Sequence, residues 1–166
     1  MLKCSKKYFH KYMKRGWTIM DKIDEKIIQM LQKNARIPVK EIAKEVFLSS
    51  PAVSARIDHL AQEGLIKGYH MTIDRTKLGY DVTAFISLEM APRQKAEFYP
   101  FIQNCPNVLE CSCVTGQYSQ LIKVAFRRTS ELEAFIGSLQ QFGRTSTQIV
   151  FSTPVEARDV DVSSRS

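Results

Sequence analysis

The chain has 166 residues, 44% hydrophobic and 25% charged, which is enough length and apolar content for one or two small folded domains and excludes a fibrous or disordered chain. No stretch approaches the roughly 18 apolar residues of a membrane span, and the N-terminus lacks an apolar signal core, so no membrane partner is expected and four cysteines without disulfide spacing fit reduced thiols in a cytoplasm. The net charge of +7 invites a nucleic-acid reading, but residues 1–20 hold six bases and no acid, residues 21–80 ten bases against eight acids, and residues 81–166 eight against nine. The excess therefore sits in a short leader, and any case for DNA must rest on pattern and local charge.

The leader, MLKCSKKYFHKYMKRGWTIM, is open to two readings. It is either a basic arm along DNA phosphates or a disordered segment upstream of a mis-called start, since Met20 is followed directly by helix-opening DKIDEKI. The second is the expectation. From residue 21 to 36, Ile23, Ile27, Ile28, Met30 and Leu31 fall on one helical side with charges between them. After Pro38 the apolar residues Val39, Ile42, Ala43 and Val46 keep a 3.6-residue spacing. Leu48-Ser49-Ser50-Pro51 then stops and restarts the helix, with Ser49 or Ser50 as N-cap and Pro51 in the first turn. The next helix buries Val53, Ile57 and Leu60 and ends at Gly64. Leu65-Ile66 and residues 69–73, separated by Lys67-Gly68, suggest a short hairpin.

Three helices and a β-wing over residues 21–74 make the unit that presents a recognition helix to the DNA major groove. The face away from the buried stripe offers Ser49, Ser50, Pro51, Ser54 and Ala55 to base edges, small groups with hydroxyl and methyl contacts but no bidentate arginine–guanine pair. Arg56 reads either as a phosphate contact or as a salt bridge to the first helix or near Asp58, and His59 as a surface or phosphate-facing residue. Specificity is thus expected to come largely from DNA shape and from several recognition helices acting together.

Residues 75–81, with Gly79 as breaker, read as a linker. The period then changes from 3.6 to 2: Val82, Ala84, Ile86, Leu88 and Met90 alternate along a strand. A helix over residues 94–105 carries Ala96, Phe98, Phe101 and Ile102; strands follow at 108–114 and 121–126 around a Thr115-Gly116-Gln117-Tyr118 turn. A second helix at 130–142 is expected to be capped at Thr129 or Ser130, with Glu133 completing a capping box, and a last strand at 148–152. The order βαββαβ over residues 82–156 is the ferredoxin-like split motif, so the fold class is α+β, a winged helix-turn-helix followed by a ferredoxin-like domain. A polar tail, residues 157–166, is expected to be disordered.

Cys111 and Cys113 share a strand face with Leu109, and with Cys105 they suggest a metal only superficially: no histidine lies near and a tetrahedral site wants four ligands, so core packing is expected and no metal. Phosphate-binding glycine loops, H-E-x-x-H and G-x-S-x-G are absent, and neither a catalytic residue nor a cofactor is expected.

Asp24, Leu31, Asn34-Ala35-Arg36, Glu41-Ile42-Ala43, Leu48-Ser49, Val53, Arg56-Ile57, Leu60, Gly64, Ile66, Asp74, Lys77-Leu78-Gly79 and Thr115-Gly116 with Tyr118 resemble, in order over about residues 21–156, the Lrp/AsnC (feast/famine) transcriptional regulators. The resemblance implies a DNA-binding regulator with double-stranded DNA as partner, and a C-terminal domain that binds a small effector, usually an amino acid. It also implies homo-oligomers, dimers paired through their sheets and often octamers or related rings. It makes the loop Thr115, Gly116, Gln117, Tyr118, Ser119 and Gln120 the effector candidate, where spacing alone suggests a plain turn. Two residues depart from the family pattern. Phe47 stands where its turn usually has glycine, and Ser119 where it often has an aspartate able to meet an effector's ammonium group. Two alternatives remain: an architectural DNA-wrapping protein with little effector response, and an enzyme similar to the related haem-biosynthesis decarboxylases. The second is disfavoured because His10, His59 and His70 all precede Asp74, leaving the second domain without histidine.

Overall fold

The computed structural model describes residues 20–162, so the basic leader apart from Met20 lies outside the described residues. The chain forms two compact units. One runs to Met71 and regains the chain from Ala157; the other is Thr72–Glu156.

In the first unit, α1 (Lys22–Lys33), α2 (Val39–Glu45) and α3 (Ser50–Gln62) enclose a small core. Ile27, Ile42, Ala43, Val46 and Val53 are buried together, with Ile23, Leu31, Leu48 and Ile57 packed against them, as the helical periodicity requires. A reciprocal cap starts α1: the Asp24 N–H donates to Asp21 Oδ1 at 2.8 Å and the Asp21 N–H to Asp24 Oδ2 at 3.3 Å. Near the end of the described chain, the Gln32 side-chain amide donates to the Val160 carbonyl at 3.1 Å.

The hairpin expected over residues 65–73 forms no strand ladder. Both N–H groups of its first arm are consumed elsewhere: Leu65 and Ile66 each donate to the Leu60 carbonyl, at 3.0 and 3.1 Å, closing the end of α3. The second arm forms no regular element, and its large apolar residues Tyr69, Met71 and Ile73 are exposed.

The second unit is a two-layer α/β sandwich: β1 (Val82–Met90), α4 (Lys95–Gln103), β2 (Val108–Cys113), β3 (Gln120–Phe126), α5 (Thr129–Leu139) and β4 (Gly143–Ile149). All pairings are antiparallel in the order β2-β3-β1-β4, the ferredoxin-like arrangement. Ala84, Ile86, Leu88, Met90, Ile122 and Val124 face Phe98, Ile102, Leu132 and Leu139 from the two helices. The opposite face of the sheet, with Phe85, Leu121 and Lys123, is covered by neither helix; there the Lys123 Nζ lies 5.6 Å from the Phe85 ring centroid.

Three expectations are corrected in detail. β4 occupies Gly143–Ile149 rather than 148–152, because polar Arg144, Thr145, Ser146 and Thr147 pair with β1 despite lacking apolar alternation. Gly143 is needed there: at φ 152 a Cβ would collide with the Glu89 carbonyl opposite. The N-cap of α5 is Arg128, not Thr129 or Ser130, and Glu131 instead accepts from the Arg127 N–H at 3.1 Å. A bulge between Val108 and Glu110 removes Leu109 from the face of Cys111 and Cys113 and leaves it exposed.

The linker is ordered locally. Asp74 Oδ1 accepts from the Thr76 hydroxyl (2.7 Å) and from the Thr76 and Lys77 N–H groups, starting a 3₁₀ turn, Thr76–Leu78. These bonds, the Thr76 hydroxyl first, hold the Asp74 carboxyl below its ordinary pKa.

Candidate DNA-reading face and effector loop

Recognition by α3 depends on how the helix begins and how it is held. Ser49 is the N-cap, its hydroxyl accepting from the Ala52 N–H at 3.4 Å, and Pro51 sits in the first turn without costing a hydrogen bond. Val53 and Leu60 are fully buried and Ile57 partly so. Opposite that stripe, Ser49, Pro51, Ala55 and His59 are exposed and Ser50 and Ser54 half-buried. The candidates therefore line one side of α3 and its N-terminal turn.

Arg56 has a different post. Its Nη1 donates to Asp21 Oδ2 at 2.8 Å and Asp24 Oδ1 at 2.7 Å, so one guanidinium nitrogen ties α3 to the capping box of α1. This is the salt bridge to the first helix that the sequence left as one of two readings. The bonds to Asp24 and Asp21 raise the Arg56 pKa further, and Asp21 is lowered chiefly by the Asp24 N–H, with Arg56 contributing. Neither aspartate stood out as a partner of Arg56, because the contact spans 32 and 35 residues of sequence.

The turn before α3 repeats the geometry that ends it. After α3, the Leu65 N–H donates to the Leu60 carbonyl (3.0 Å) and the Gly64 N–H to that of Ala61 (2.9 Å), with Gly64 left-handed at φ 72. After α2, the Leu48 N–H donates to the Ala43 carbonyl (3.0 Å) and the Phe47 N–H to that of Lys44 (3.4 Å), with Phe47 at φ 56. Both are Schellman caps, whose left-handed position is a glycine's by default. Phe47 is the only non-glycine with positive φ among the described residues, and its side chain is 94% exposed.

In the second unit the effector-loop candidates divide. Thr115, Gly116 and Gln117 are exposed and Tyr118 half-buried; Gly116 is at φ 111, and a Cβ there would meet nothing within 4 Å. Ser119 is drawn inward: its N–H donates to the Leu88 carbonyl at 3.0 Å, and its hydroxyl accepts from the Met90 N–H at 3.3 Å. Gln120 is 1% exposed; its Oε1 lies 3.8 Å from the Cys111 thiol and its buried Nε2 has no hydrogen-bond partner among the described residues. Burial pushes Cys111 up to about 11, with the neighbouring Cys113 and Glu110 adding to it, so it is a neutral thiol at physiological pH. Among the described residues no cluster of three or more His, Cys, Asp or Glu could hold a metal. An open cleft of about 490 Å³ runs along α5 and β4, lined among others by Leu132, Glu133, Ile136 and Ile149; no local sequence pattern marks it.

A three-helix reader with an exposed small-residue face on its last helix, joined to a ferredoxin-like unit with a surface loop at β2–β3, defines a DNA-binding regulator with a separate ligand-binding domain. Comparison with known proteins gives the particular family. Residues 20–67 match the model of a winged helix-turn-helix DNA-binding domain and residues 83–160 that of the Lrp/AsnC ligand-binding domain. The chain is 31% identical over 147 residues to the HTH-type transcriptional regulator FL11 of Pyrococcus furiosus, covering 87% of this chain and 97% of that protein. It is 32% identical over 146 residues to the regulatory protein AsnC of Haemophilus influenzae, covering 85% and 97%. The solved structure of Bacillus subtilis LrpC superimposes with a TM-score of 0.78 at 28% identity, covering 83% and 99%. The chain belongs to the Lrp/AsnC family of DNA-binding transcriptional regulators. Its relatives are named transcriptional regulators, which indicates a non-enzymatic function, and no helix among the described residues is long and apolar enough to cross a membrane.

Proposed function

We propose that the protein is a sequence-specific, homo-oligomeric regulator in the cytoplasm whose assembly and DNA affinity respond to an amino acid or related small molecule. The observation that carries this reading is the exposed N-terminal side of α3. Ser49, Ser50, Pro51, Ser54 and Ala55 meet base edges, His59 lies toward a phosphate, and Arg56 holds the helix through Asp21 and Asp24. Dimers pair through the sheet face that no helix covers and set two α3 helices in half-sites about one helical turn, or a multiple, apart. An effector at Thr115, Gly116, Gln117 and Tyr118, with Ser119 and Gln120 supporting the loop from inside, changes how dimers assemble and so how tightly they hold DNA.

The test is a gel-shift salt series with the gene's own upstream DNA, run with and without an amino-acid panel. A steep fall of affinity with salt and a shift with one or more amino acids are expected; no binding even at low salt overturns the regulator reading. Ser54→Glu puts a carboxylate against the phosphates and abolishes binding without changing the oligomer seen by light scattering. A second reading, an architectural DNA-wrapping protein, is favoured by one observation: the Ser119 hydroxyl is committed to the end of β1 and carries no charge for an effector's ammonium. DNA binding that no amino acid alters, with light scattering equally unmoved, selects that reading.

A further inference from the structure

The turn between α2 and α3 holds a residue that the fold does not need. Gly64 and Phe47 occupy the same position in two copies of one cap, each left-handed, each beside the same pair of backbone hydrogen bonds. At Gly64 the cap has its expected residue. At Phe47 it has a β-carbon that the left-handed region penalises, and a ring left 94% exposed among the described residues. Leu48, the next residue, already supplies the apolar contact that such a cap makes with the core. Strain that packing does not explain clusters at functional sites.

The position says which function. Phe47 lies two residues before Ser49, the N-cap of α3, within about 8 Å of it along the chain, and that N-terminal end is the part of a recognition helix that meets base edges. Pro51 and Ala55, on the α3 side proposed to meet DNA, are exposed as well and carry no charge. We propose that Phe47 is a DNA-contact residue: its ring lies against the apolar rim of the major groove at the edge of a half-site, on thymine 5-methyl groups or deoxyribose carbons. It adds affinity that carries no charge and, on thymine, selectivity that the small side chains of α3 supply only weakly. This rests on α3 entering the groove as proposed above.

The experiment compares the full-length protein with Phe47→Gly and Phe47→Asn, two residues that tolerate the left-handed conformation. Binding to the wild-type operator is measured across a salt series, on thymine and on uracil-substituted DNA, beside thermal unfolding and light scattering. Both variants are expected to keep the oligomer, Phe47→Gly to unfold a few degrees higher, and both to bind roughly fivefold or more weakly at every salt concentration with an unchanged salt slope. If uracil substitution erases the difference between wild type and variants, the contact is to thymine methyls; if the difference survives, it is to the sugars. Equal DNA affinity of variants and wild type overturns the proposal, as does a lowered unfolding temperature, which would show that the ring serves the fold. Failure of the wild-type protein itself to bind DNA would instead overturn the reading of α3.

Discussion

Two helices of the first unit end in the same cap, and only Gly64 suits it, so the cost of Phe47 can be set out residue by residue. A left-handed L-residue costs about 1–2 kcal/mol. Glycine in its place gives back about 0.5–1 kcal/mol through the added freedom of the unfolded chain. Phe47→Gly is therefore expected to stabilise the winged-helix unit by about 0.5–1 kcal/mol, read as the shift in denaturant midpoint at constant slope. Chemical contrast between thiols belongs to the same scale. Cys113 is exposed and Cys111 is half-buried with a pKa of about 11, so iodoacetamide at pH 8 should modify Cys113 well before Cys111, and equal rates would contradict this difference. What sequence revealed here was uneven. The oddity of Phe47 is visible in sequence only through the family resemblance, which usually has a glycine in that turn, whereas the inward turn of Ser119 depends on the Leu88 and Met90 backbone, 31 and 29 residues away, and leaves no local trace.

Between elements, the tie from α3 to α1 is ionic and partly exposed, which limits its worth. Arg56→Met removes both bonds to Asp21 and Asp24 and is expected to cost about 1 kcal/mol, since solvent screens a pair of this kind. Its pH dependence has a definite sign. Asp21 is lowered in the folded state, so its contribution is complete above the ordinary carboxylate pKa of 3.8 and is lost as pH falls through the depressed value. The leading cause is the Asp24 N–H, so Arg56→Met should shrink this acid-side loss only in part. Asp21→Asn, which keeps a good N-cap, should remove it; melting curves between about pH 5 and pH 2 check both. In the sheet, β4 is bound to β1 at the point where Gly143 faces Met90, and Gly143→Ala drives a methyl into the Glu89 carbonyl. A loss of about 1–3 kcal/mol in denaturant unfolding is expected, and an unchanged midpoint would show that the strand can shift. The same element explains a misreading. Helices α1 to α3 are legible because apolar residues repeat at helical spacing within each, Ile23, Ile27 and Leu31, then Val39, Ile42 and Val46, then Val53, Ile57 and Leu60, but a strand as polar as β4 is specified by its partner and by one glycine, not by its own pattern.

At the scale of the whole molecule, the formal charge is a poor guide and the assembly a better one. Residues 21–80 carry only two net positive charges, too few for one unit to hold DNA firmly by phosphate neutralisation. On the proposed reading, affinity comes from several α3 helices on one duplex, where each later contact forms at high effective concentration. On that reading, oligomerisation is the quantity through which the proposed effector acts. If an amino acid shifts the assembly and thereby changes DNA affinity by some factor, linkage requires DNA to change the affinity for that amino acid by the same factor. The effect must also depend on protein concentration, because dilution moves the same equilibrium. Titrating the amino acid with and without operator DNA, at two protein concentrations an order of magnitude apart, should give reciprocal factors that converge as the protein becomes fully assembled. Ser119→Asp, which sets a carboxylate beside the loop in place of a hydroxyl tied to β1, should strengthen binding of any effector that carries an ammonium group. An effector whose influence on DNA binding is the same at both concentrations would act within a single chain, and assembly would then not be the link between loop and helix.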